Sequence, residues 1–354
     1  MTDGGARPGF AARLLRWYDA ARRDLPWRRT RDPWAIWVSE IMLQQTRVEA
    51  VRAPYARFLA RYPTPAAFAA AGDDDLLISW RGLGYYRRAR LLRDGARAVA
   101  ERHGGRVPRE VDALRALPGV GPYTLGAIAS IAFGHAEVAV DGNVERVVAR
   151  HRGLDAPIGT TAARRRIAAI VRERLDAARP GDFNQALMEL GATVCTPTSP
   201  RCDACPVAGD CVARATDATD RLPVRPPRRR TQDVTARAIL VVRDGRALGH
   251  RIPADEPNAG QVELPGPGVL VDTPAEDLAR ALRARFGAVV EPGAVVATVR
   301  HAITHHRITL VAHAAAVRRR GRLDWFDLAG DVPWTTPARK VFARALAGDA
   351  DADA

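Results

Sequence analysis

The chain has 354 residues, a length that suggests two domains, each long enough to bury a core. It has no apolar run long enough to cross a bilayer, and Met1 to Phe10 lacks the charged-then-apolar layout of a signal peptide, so we expect a cytoplasmic protein without membrane contact. The formal net charge of +14 favours a polyanionic partner such as nucleic acid, although a codon bias towards arginine would add charge in the same way.

The first half of the chain is predicted to be helical. Apolar residues recur at helical spacing, and Pro and Gly separate the periodic stretches, as at Tyr62-Pro63 and Arg81-Gly82. The predicted helices are Phe10–Arg23, Pro33–Gln44, Val48–Arg61, Tyr85–His103 and Ala162–Ala178.

Two acidic residues lie in contexts that allow more than one interpretation. Glu40 lies in an apolar stretch, Val38-Ser-Glu-Ile-Met-Leu-Gln-Gln-Thr46, and composition alone favours a surface residue or a partner in a salt bridge. Asp141 precedes a predicted helix, where an aspartate commonly caps the first turn. Residue pattern alone does not assign chemistry to either carboxylate.

A glycine-rich turn, Leu117-Pro-Gly-Val-Gly-Pro-Tyr-Thr124, lies between these carboxylates and joins two predicted helices. Gly119 and Gly121 permit a tight turn, and the second helix begins with free N–H groups that can bind a phosphate. An ordinary helix–helix turn is the alternative.

All four cysteines, Cys195, Cys202, Cys205 and Cys211, lie in one short loop with the spacing C-x6-C-x2-C-x5-C. Four thiols in one loop favour a single metal site over disulfides. Zinc and a 4Fe–4S cluster both accept four thiolates, so the ligand count leaves both open.

The residue pattern of the chain changes after a Pro- and Arg-rich stretch, Leu222 to Arg230, which we expect to be extended. Beyond it, β-branched and apolar runs predict strands and two further segments predict helices, so the second domain is expected to be α+β. The strands are Thr235–Arg243, Ala294–Arg300 and Ile308–Arg318, and the helices are Ala275–Phe286 and Pro337–Leu346.

Several segments, in this order, resemble the MutY family of adenine DNA glycosylases, within the endonuclease III helix-hairpin-helix superfamily. They are Leu25-Pro-Trp-Arg28, Ser39-Glu-Ile-Met-Leu-Gln-Gln-Thr46, Gly82-Leu-Gly-Tyr-Tyr86, the hairpin, Val140-Asp-Gly-Asn143, Phe183-Asn-Gln185 and the cysteine loop. The resemblance runs over about the first 212 residues. It implies three parts: a helix-hairpin-helix glycosylase domain at 1–212 with a 4Fe–4S loop at 195–211, a linker at 213–233, and a Nudix-like α+β domain at 234–349.

The resemblance also implies roles for the carboxylates. Glu40 would be the general acid that protonates adenine, and Asp141 would stabilise the cationic sugar, with Tyr123 and Asn143 in support. Bifunctional relatives carry a catalytic lysine where this chain has Tyr123. The only lysine is Lys340, far from this domain, so a lysine Schiff base is excluded and base removal by water remains.

Further family positions imply substrate contacts. Trp27, Arg28 and Gln185 match residues that line the pocket for the flipped adenine; core packing is the alternative interpretation for the aromatic residues. Four more residues match family positions that fill the gap in the duplex and contact the opposite base: Gln45, Thr46, Leu83 and Tyr85.

The C-terminal domain resembles a Nudix scaffold at Leu264-Pro-Gly266. A hydrolytic Nudix helix needs glutamates for magnesium, but the matching positions carry Ala281, Ala284 and Arg285, so recognition is expected rather than hydrolysis. The family's Phe-Ser-His loop, which reads 8-oxoguanine, appears as Ile303-Thr304-His305, and Thr304 and His305 keep the capacity to hydrogen-bond. A histidine-bearing turn is the alternative, and the tryptophan usual near Gly260 is absent.

The resemblance therefore implies a monomeric, monofunctional glycosylase that acts on adenine opposite 8-oxoguanine or guanine in double-stranded DNA. Two alternatives stay open: a thymine glycosylase of the same superfamily, and a non-catalytic DNA-binding iron–sulfur protein. The second is disfavoured because phosphate binding gains nothing from two carboxylates near DNA.

Overall fold

The computed structural model describes residues 9–227 and 230–346. Within them the chain forms two compact units, one from 9–70 and 87–227 and the other from 71–86 and 230–346. None of the described helices is both long and apolar enough to cross a membrane.

The division differs from the expected boundaries in one segment. Ala71–Tyr86, which the sequence placed in the first domain, groups with the second unit. The physical reason is a set of polar contacts over a long sequence separation: Asp74 pairs with Arg251 at 2.6 Å, and Arg81 donates to the carbonyl of Val332 at 3.3 Å.

The first unit is built of helices, as predicted. In chain order these are α1 (Phe10–Ala21), α2 (Pro33–Leu43), α3 (Val48–Arg61), α4 (Pro65–Ala69), α6 (Arg87–Arg102), α7 (Val111–Arg115), α8 (Pro122–Phe133), α9 (Gly142–Arg152), α10 (Thr161–Arg172), α11 (Pro180–Thr193) and α12 (Val212–Ala215). A short 3-10 turn, Pro26–Arg28, precedes α2. The Asp32 side chain caps α2 by accepting hydrogen bonds from two N–H groups of its first turn, and Pro33 takes the first helical position.

Of the five helices predicted in this unit, α3 alone has the predicted bounds, and two of the differences have a clear local cause. α6 begins at Arg87 rather than at Tyr85 because Tyr85 has a φ of 47°, which lies outside the helical region. α10 ends at Arg172, six residues before the predicted Ala178. The Asp176 side chain accepts hydrogen bonds from the N–H groups of Ala178 and Arg179, and these bonds form a turn in place of the helix.

The helices α1, α9, α10 and α11 share a buried core that supports the polar residues described below. Its members are apolar and almost completely buried, and they include Leu14, Tyr18, Val144, Val148, Ile167, Phe183, Leu187 and Leu190. Burying a side chain of this size contributes about 1.5–3 kcal/mol of stability.

The second unit is α+β, as predicted. Besides α5 (Asp73–Ser79) it contains β1 (Gln232–Leu240), β2 (Val242–Arg243), β3 (Arg246–Arg251), β4 (Val262–Glu263), α13 (Leu278–Phe286), β5 (Val289–Ile303), β6 (His306–Arg319), β7 (Asp324–Asp327) and α14 (Thr336–Ala345). One sheet has the order β1-β6-β5, in which β1 and β6 are parallel and β5 and β6 are antiparallel. In the other sheet, β3 pairs with β2, β4 and β7.

The segment 213–233, expected to be a linker, is partly ordered against the first unit. It includes most of α12 and the first residues of β1, whereas 223–227 has no regular structure. The N–H of Ile158 donates to the carbonyl of Val224 at 3.0 Å, which attaches this stretch to the first unit. Part of the Arg-rich run, residues 228–229, lies outside the described residues.

Candidate active site

A cavity of about 570 Å³ opens in the first unit, a size typical of small-molecule sites. Several elements contribute to it: the 3-10 turn before α2, the end of α2, the starts of α8 and α9, and one face of α11. It brings together nine of the residues predicted for catalysis or substrate contact: Trp27, Arg28, Glu40, Gln45, Thr46, Tyr123, Asp141, Asn143 and Gln185.

Glu40 lies inside this unit and not on its surface. It is on the apolar helix α2, is 5% exposed, and accepts a hydrogen bond from the Tyr123 hydroxyl. Burial raises its pKa to about 7; the negative charge of Asp141 acts in the same direction, while the Tyr123 hydrogen bond and Arg28 oppose it. Near neutral pH a substantial fraction of Glu40 therefore carries a proton, as a general acid requires.

Asp141 caps a helix and also lines the cavity, so the two interpretations of this residue coexist. One carboxylate oxygen accepts from the N–H of Val144 at 2.8 Å, which caps α9, and the other accepts from the Asn143 amide at 2.7 Å. Burial raises the pKa of Asp141, but these hydrogen bonds oppose the shift because they stabilise the charged form. The arrangement fixes a carboxylate beside the cavity.

Asn143 is itself held in place by Arg146, a buried residue that the sequence analysis did not identify. The Arg146 guanidinium donates to Asn143 Oδ1 at 2.9 Å, to the carbonyl of Gly191 at 2.8 Å and to the carbonyl of Cys195 at 2.7 Å. Gly191 permits this close contact, since a Cβ there would lie 2.7 Å from Asn143 Cβ. These hydrogen bonds connect the carboxylate to the first cysteine of the metal loop.

A third carboxylate, the buried Glu189, also lines the cavity and was not predicted. It receives hydrogen bonds from Arg23 at 2.8 and 2.7 Å and from Arg28 at 2.7 Å. The signal was present in the sequence, because Glu189 lies four residues after Gln185 and shares its helix face. Its arginine partners could not be identified, since they lie more than 160 residues away in the chain.

The remaining pocket residues are less constrained. Trp27 is buried and packs edge-on against Tyr55 at 5.5 Å, so its core-packing role and its place at the cavity coexist. Gln45 is exposed with a φ of 54°, a left-handed conformation uncommon for a residue other than glycine. Thr46 Oγ1 donates to the carbonyl of Gln44 at 3.2 Å.

Four predicted contact residues belong to the second unit instead. Leu83 is buried, whereas Tyr85 is 51% exposed. Thr304 and His305 form the turn that joins β5 to β6; Thr304 is exposed, with a φ of 52°, and its hydroxyl lies 3.3 Å from His305 Nδ1. The His305 side chain is partly buried, and its ring lies 4.1 Å from that of His306.

The hairpin has the geometry expected from its glycines. It joins α7 to α8, Gly119 has a φ of 78°, and Gly121 lies just before α8 with no side chain capping the helix. Pro122 takes the first helical position, so the next N–H groups of α8 have no capping partner from a side chain. Such a helix start is suited to bind a phosphate oxygen.

The four cysteines line a common cavity with apolar residues that include Val147, Leu190 and Val207. The Arg150 guanidinium lies 3.5 Å from Cys195 Sγ and offsets negative charge on the thiolates. Among the described residues, no three cysteine, histidine or acidic side chains converge on one metal ion. Four thiols that line one cavity suit a group with four thiolate ligands.

Comparison with known proteins agrees with this geometry. Residues 38–173 match the HhH-GPD superfamily of base excision DNA repair proteins, and residues 195–211 match the iron–sulfur binding domain of endonuclease III. The cysteine loop is therefore a 4Fe–4S site, as the resemblance implied.

Similar proteins include adenine DNA glycosylases and a solved glycosylase structure. The human adenine DNA glycosylase is 50% identical over 58% of this chain and 39% of its own length, and that of Mycolicibacterium smegmatis is 48% identical over 55% and 66%. The structure of a thermostable thymine-DNA glycosylase is 30% identical, with a TM-score of 0.53 over 58% of this chain and 95% of its own.

The fold and site thus define a helix-hairpin-helix DNA repair protein with an iron–sulfur loop. The chain belongs to the HhH-GPD superfamily of base excision DNA repair proteins. The resemblance to adenine DNA glycosylases is confirmed at 48–50% identity for the two relatives above, of whose lengths the chain spans 39% and 66%.

Proposed function

We propose that the chain is a monofunctional adenine DNA glycosylase, which hydrolyses the N-glycosidic bond of adenine mispaired with 8-oxoguanine or guanine. The observation that carries the proposal is the pair of carboxylates at one cavity: burial raises the pKa of Glu40 to about 7, and hydrogen bonds from Val144 and Asn143 fix the Asp141 carboxylate and favour its charged form against the effect of burial. The names of the relatives above support the choice of adenine.

The chemistry of base release accounts for this pair. Adenine leaves poorly as an anion, so protonation of its ring nitrogen N7 by Glu40 allows it to depart as a neutral base. The sugar then carries an oxocarbenium-like charge, which the fixed carboxylate of Asp141 stabilises or briefly traps. Once deprotonated, Glu40 activates the water that completes the reaction. Tyr123 orients Glu40, and Asn143 orients Asp141.

The remaining residues bind the substrate. The adenine must leave the duplex to reach the cavity, where Trp27, Arg28 and Gln185 surround it. The hairpin around Gly119 and Gly121 binds a DNA phosphate through the start of α8. When bound, the 4Fe–4S cluster ties the thiols of residues 195–211 together at the end of the helical unit. Gln45, Thr46, Leu83 and Tyr85 contact the gap in the duplex and the opposite base.

We further propose that the second unit reads the opposite base through Thr304 and His305 and is Nudix-like without hydrolysing nucleotides. Arg285, where a hydrolase would carry a metal-binding glutamate, pairs with Glu256 at 2.6 Å, so a permanent cation lies in that position. We propose that the protein acts as a monomer on double-stranded DNA in the cytoplasm.

A thymine glycosylase is the second candidate, because the solved structure described above bears that name. Duplexes holding adenine opposite 8-oxoguanine, adenine opposite guanine, and thymine opposite guanine separate the candidates, with alkali used to reveal abasic sites. We expect adenine release, fastest opposite 8-oxoguanine. Release of thymine alone would favour the second candidate, and binding without release of either base would indicate a non-catalytic DNA-binding protein.

A further inference from the structure

Glu189 is a buried charge for which the mechanism above has no role. Its side chain is 0% exposed, and its carboxylate accepts hydrogen bonds from two arginines: Arg23, which also donates its backbone N–H at 3.1 Å, and Arg28. Burial alone would raise the pKa of Glu189, but the hydrogen bonds from Arg23 and Arg28 lower it to about 2. Glu189 is therefore a permanent anion at the wall of the cavity.

The same contacts fix Arg28 in one position. Its guanidinium donates to Glu189 at 2.7 Å and to the carbonyl of Arg23 at 3.1 Å, and it lies 5.4 Å from the centre of the Tyr18 ring. The Arg28 side chain is only 11% exposed, so water screens its charge poorly. Arg28 in turn acts to lower the pKa of Glu40, because its positive charge favours the ionised carboxylate.

Glu40 and Glu189 share one neighbour, Arg28. Tyr123, Asp141 and Arg28 act on Glu40, while Arg23 and Arg28 act on Glu189. Tyr18 is a further neighbour of the cluster, since Arg22, Arg28, Asp182 and Glu189 all act on the pKa of its hydroxyl. The cluster formed by Arg23, Arg28 and Glu189 carries a net charge of +1, and it would carry +2 without the carboxylate.

We propose that Glu189 is a positioning residue that acts through Arg28: it holds this arginine at the cavity wall and neutralises the arginine pair, so that Glu40 keeps the proton it must donate. The inference rests on the proposed function, since it assigns a partner to the general acid of that reaction. It adds to Glu40 and Asp141 a third carboxylate, which acts on the charge of the site and does not contact the substrate.

The test is the pH profile of adenine release from prebound duplex under single-turnover conditions. Release requires protonated Glu40, so the rate falls as pH rises through the pKa of Glu40. In Glu189→Gln the net charge of the cluster rises from +1 to +2. We therefore expect the fall to move to lower pH by roughly one unit, the effect of a nearby unit charge at an effective dielectric constant of about 20. Arg23→Gln lowers the cluster charge to zero and should move the fall to higher pH.

Two further variants separate electrostatics from structure. The double variant Arg23→Gln/Glu189→Gln restores the +1 charge, and we expect it to restore the wild-type position of the fall. Asp19→Asn adds the same charge to the protein at a surface ion pair with Arg179 and should leave the profile unchanged. Arg23→Gln, which changes a side chain that is 36% exposed, keeps the test valid if Glu189→Gln does not fold.

In Glu189→Gln and Arg23→Gln the rate could instead drop by the same factor at every pH, with the fall at the wild-type pH. That result would overturn the role of Glu189, but the proposed glycosylase function would stand. Failure of the double variant to restore the profile would overturn it as well. If the wild-type protein released no adenine, the proposed function itself would fail, and the assignment of Glu189 with it.

Discussion

At the scale of single residues, the site depends on where one proton resides. Glu40 and Asp141 share a cavity but have different surroundings, since Glu40 lies on an apolar helix and accepts from Tyr123, whereas Asp141 accepts from a backbone N–H and an amide. Pairs of carboxyl groups whose surroundings separate their pKa values are typical of acid–base catalysts.

Replacing Glu40 with Gln should remove the general acid with little change in shape. We expect adenine release to fall about 10²–10⁴-fold, the usual contribution of such a group. Single-turnover assays measure the rate, and a binding titration should give a duplex affinity close to that of the wild type. Glu173→Gln, at an exposed position after α10, is the matched control. A near-normal rate for Glu40→Gln would contradict the assignment.

The same substitution should change stability in a pH-dependent way. The pKa of Glu40 is raised from 4.5 to about 7 on folding, so the folded state loses stability as pH rises between these values. Gln mimics the protonated form. Glu40→Gln should therefore match the wild type near pH 4 and be more stable by about 2–3 kcal/mol above pH 7. Chemical denaturation at the two pH values measures this difference, and an equal effect at both would contradict it.

At the scale of elements, the hairpin offers a matched pair of glycines. Gly119 has a φ of 78°, and a Cβ there would lie 3.1 Å from Leu91; Gly121 has a φ of −84° and open space around it. We expect Gly119→Ala to cost about 1–2 kcal/mol of stability and to weaken duplex binding, because the left-handed conformation is strained for alanine. Gly121→Ala should leave stability unchanged in the same melting experiment. Equal melting temperatures for the two variants would exclude this account.

The cysteine loop is the second element whose chemistry can be tested directly. Cys202→Ser should lower the bound iron from about four atoms per chain and remove the visible absorbance of the cluster. Thr198→Ala, an exposed position in the same loop, is the control and should retain both. Zinc at full occupancy in the wild-type protein, without iron, would instead support the single-metal alternative.

Local sequence pattern was sufficient for most elements but not for their partners. The bounds of α3 agree with the prediction, because its periodicity and flanking residues are local signals. The end of α10 was wrong because the side chain of Asp176 competes for backbone N–H groups beyond Arg172. Glu40 and Asp141 stood out only through family resemblance, and Arg146 and Glu189 were missed because their polar partners are far away in the sequence.

At the scale of the whole molecule, the two proposed tasks fall on different units: base release on the first, and reading of the opposite base on the second. The turn of Thr304 and His305 presents an exposed hydroxyl beside an imidazole, groups able to bond an altered guanine.

Removal of the His305 imidazole should affect discrimination between 8-oxoguanine and guanine more than the catalytic step itself. We expect His305→Ala to slow release of adenine opposite 8-oxoguanine about 10-fold, the value of one lost hydrogen bond, and to leave release opposite guanine unchanged. His306→Ala, the adjacent residue in β6, is the control. A parallel loss on both duplexes would assign His305 a structural role.

The discontinuity of the second unit has a consequence for how the molecule is made. Ala71–Tyr86 leaves the ribosome long before the residues to which Asp74 and Arg81 are bonded, Arg251 and Val332. During synthesis this segment therefore emerges before its partners, between the two parts of the chain that form the helical unit. A chain cut in the linker would therefore separate Asp74 and Arg81 from their partners, Arg251 and the carbonyl of Val332, and neither half would contain the complete second unit.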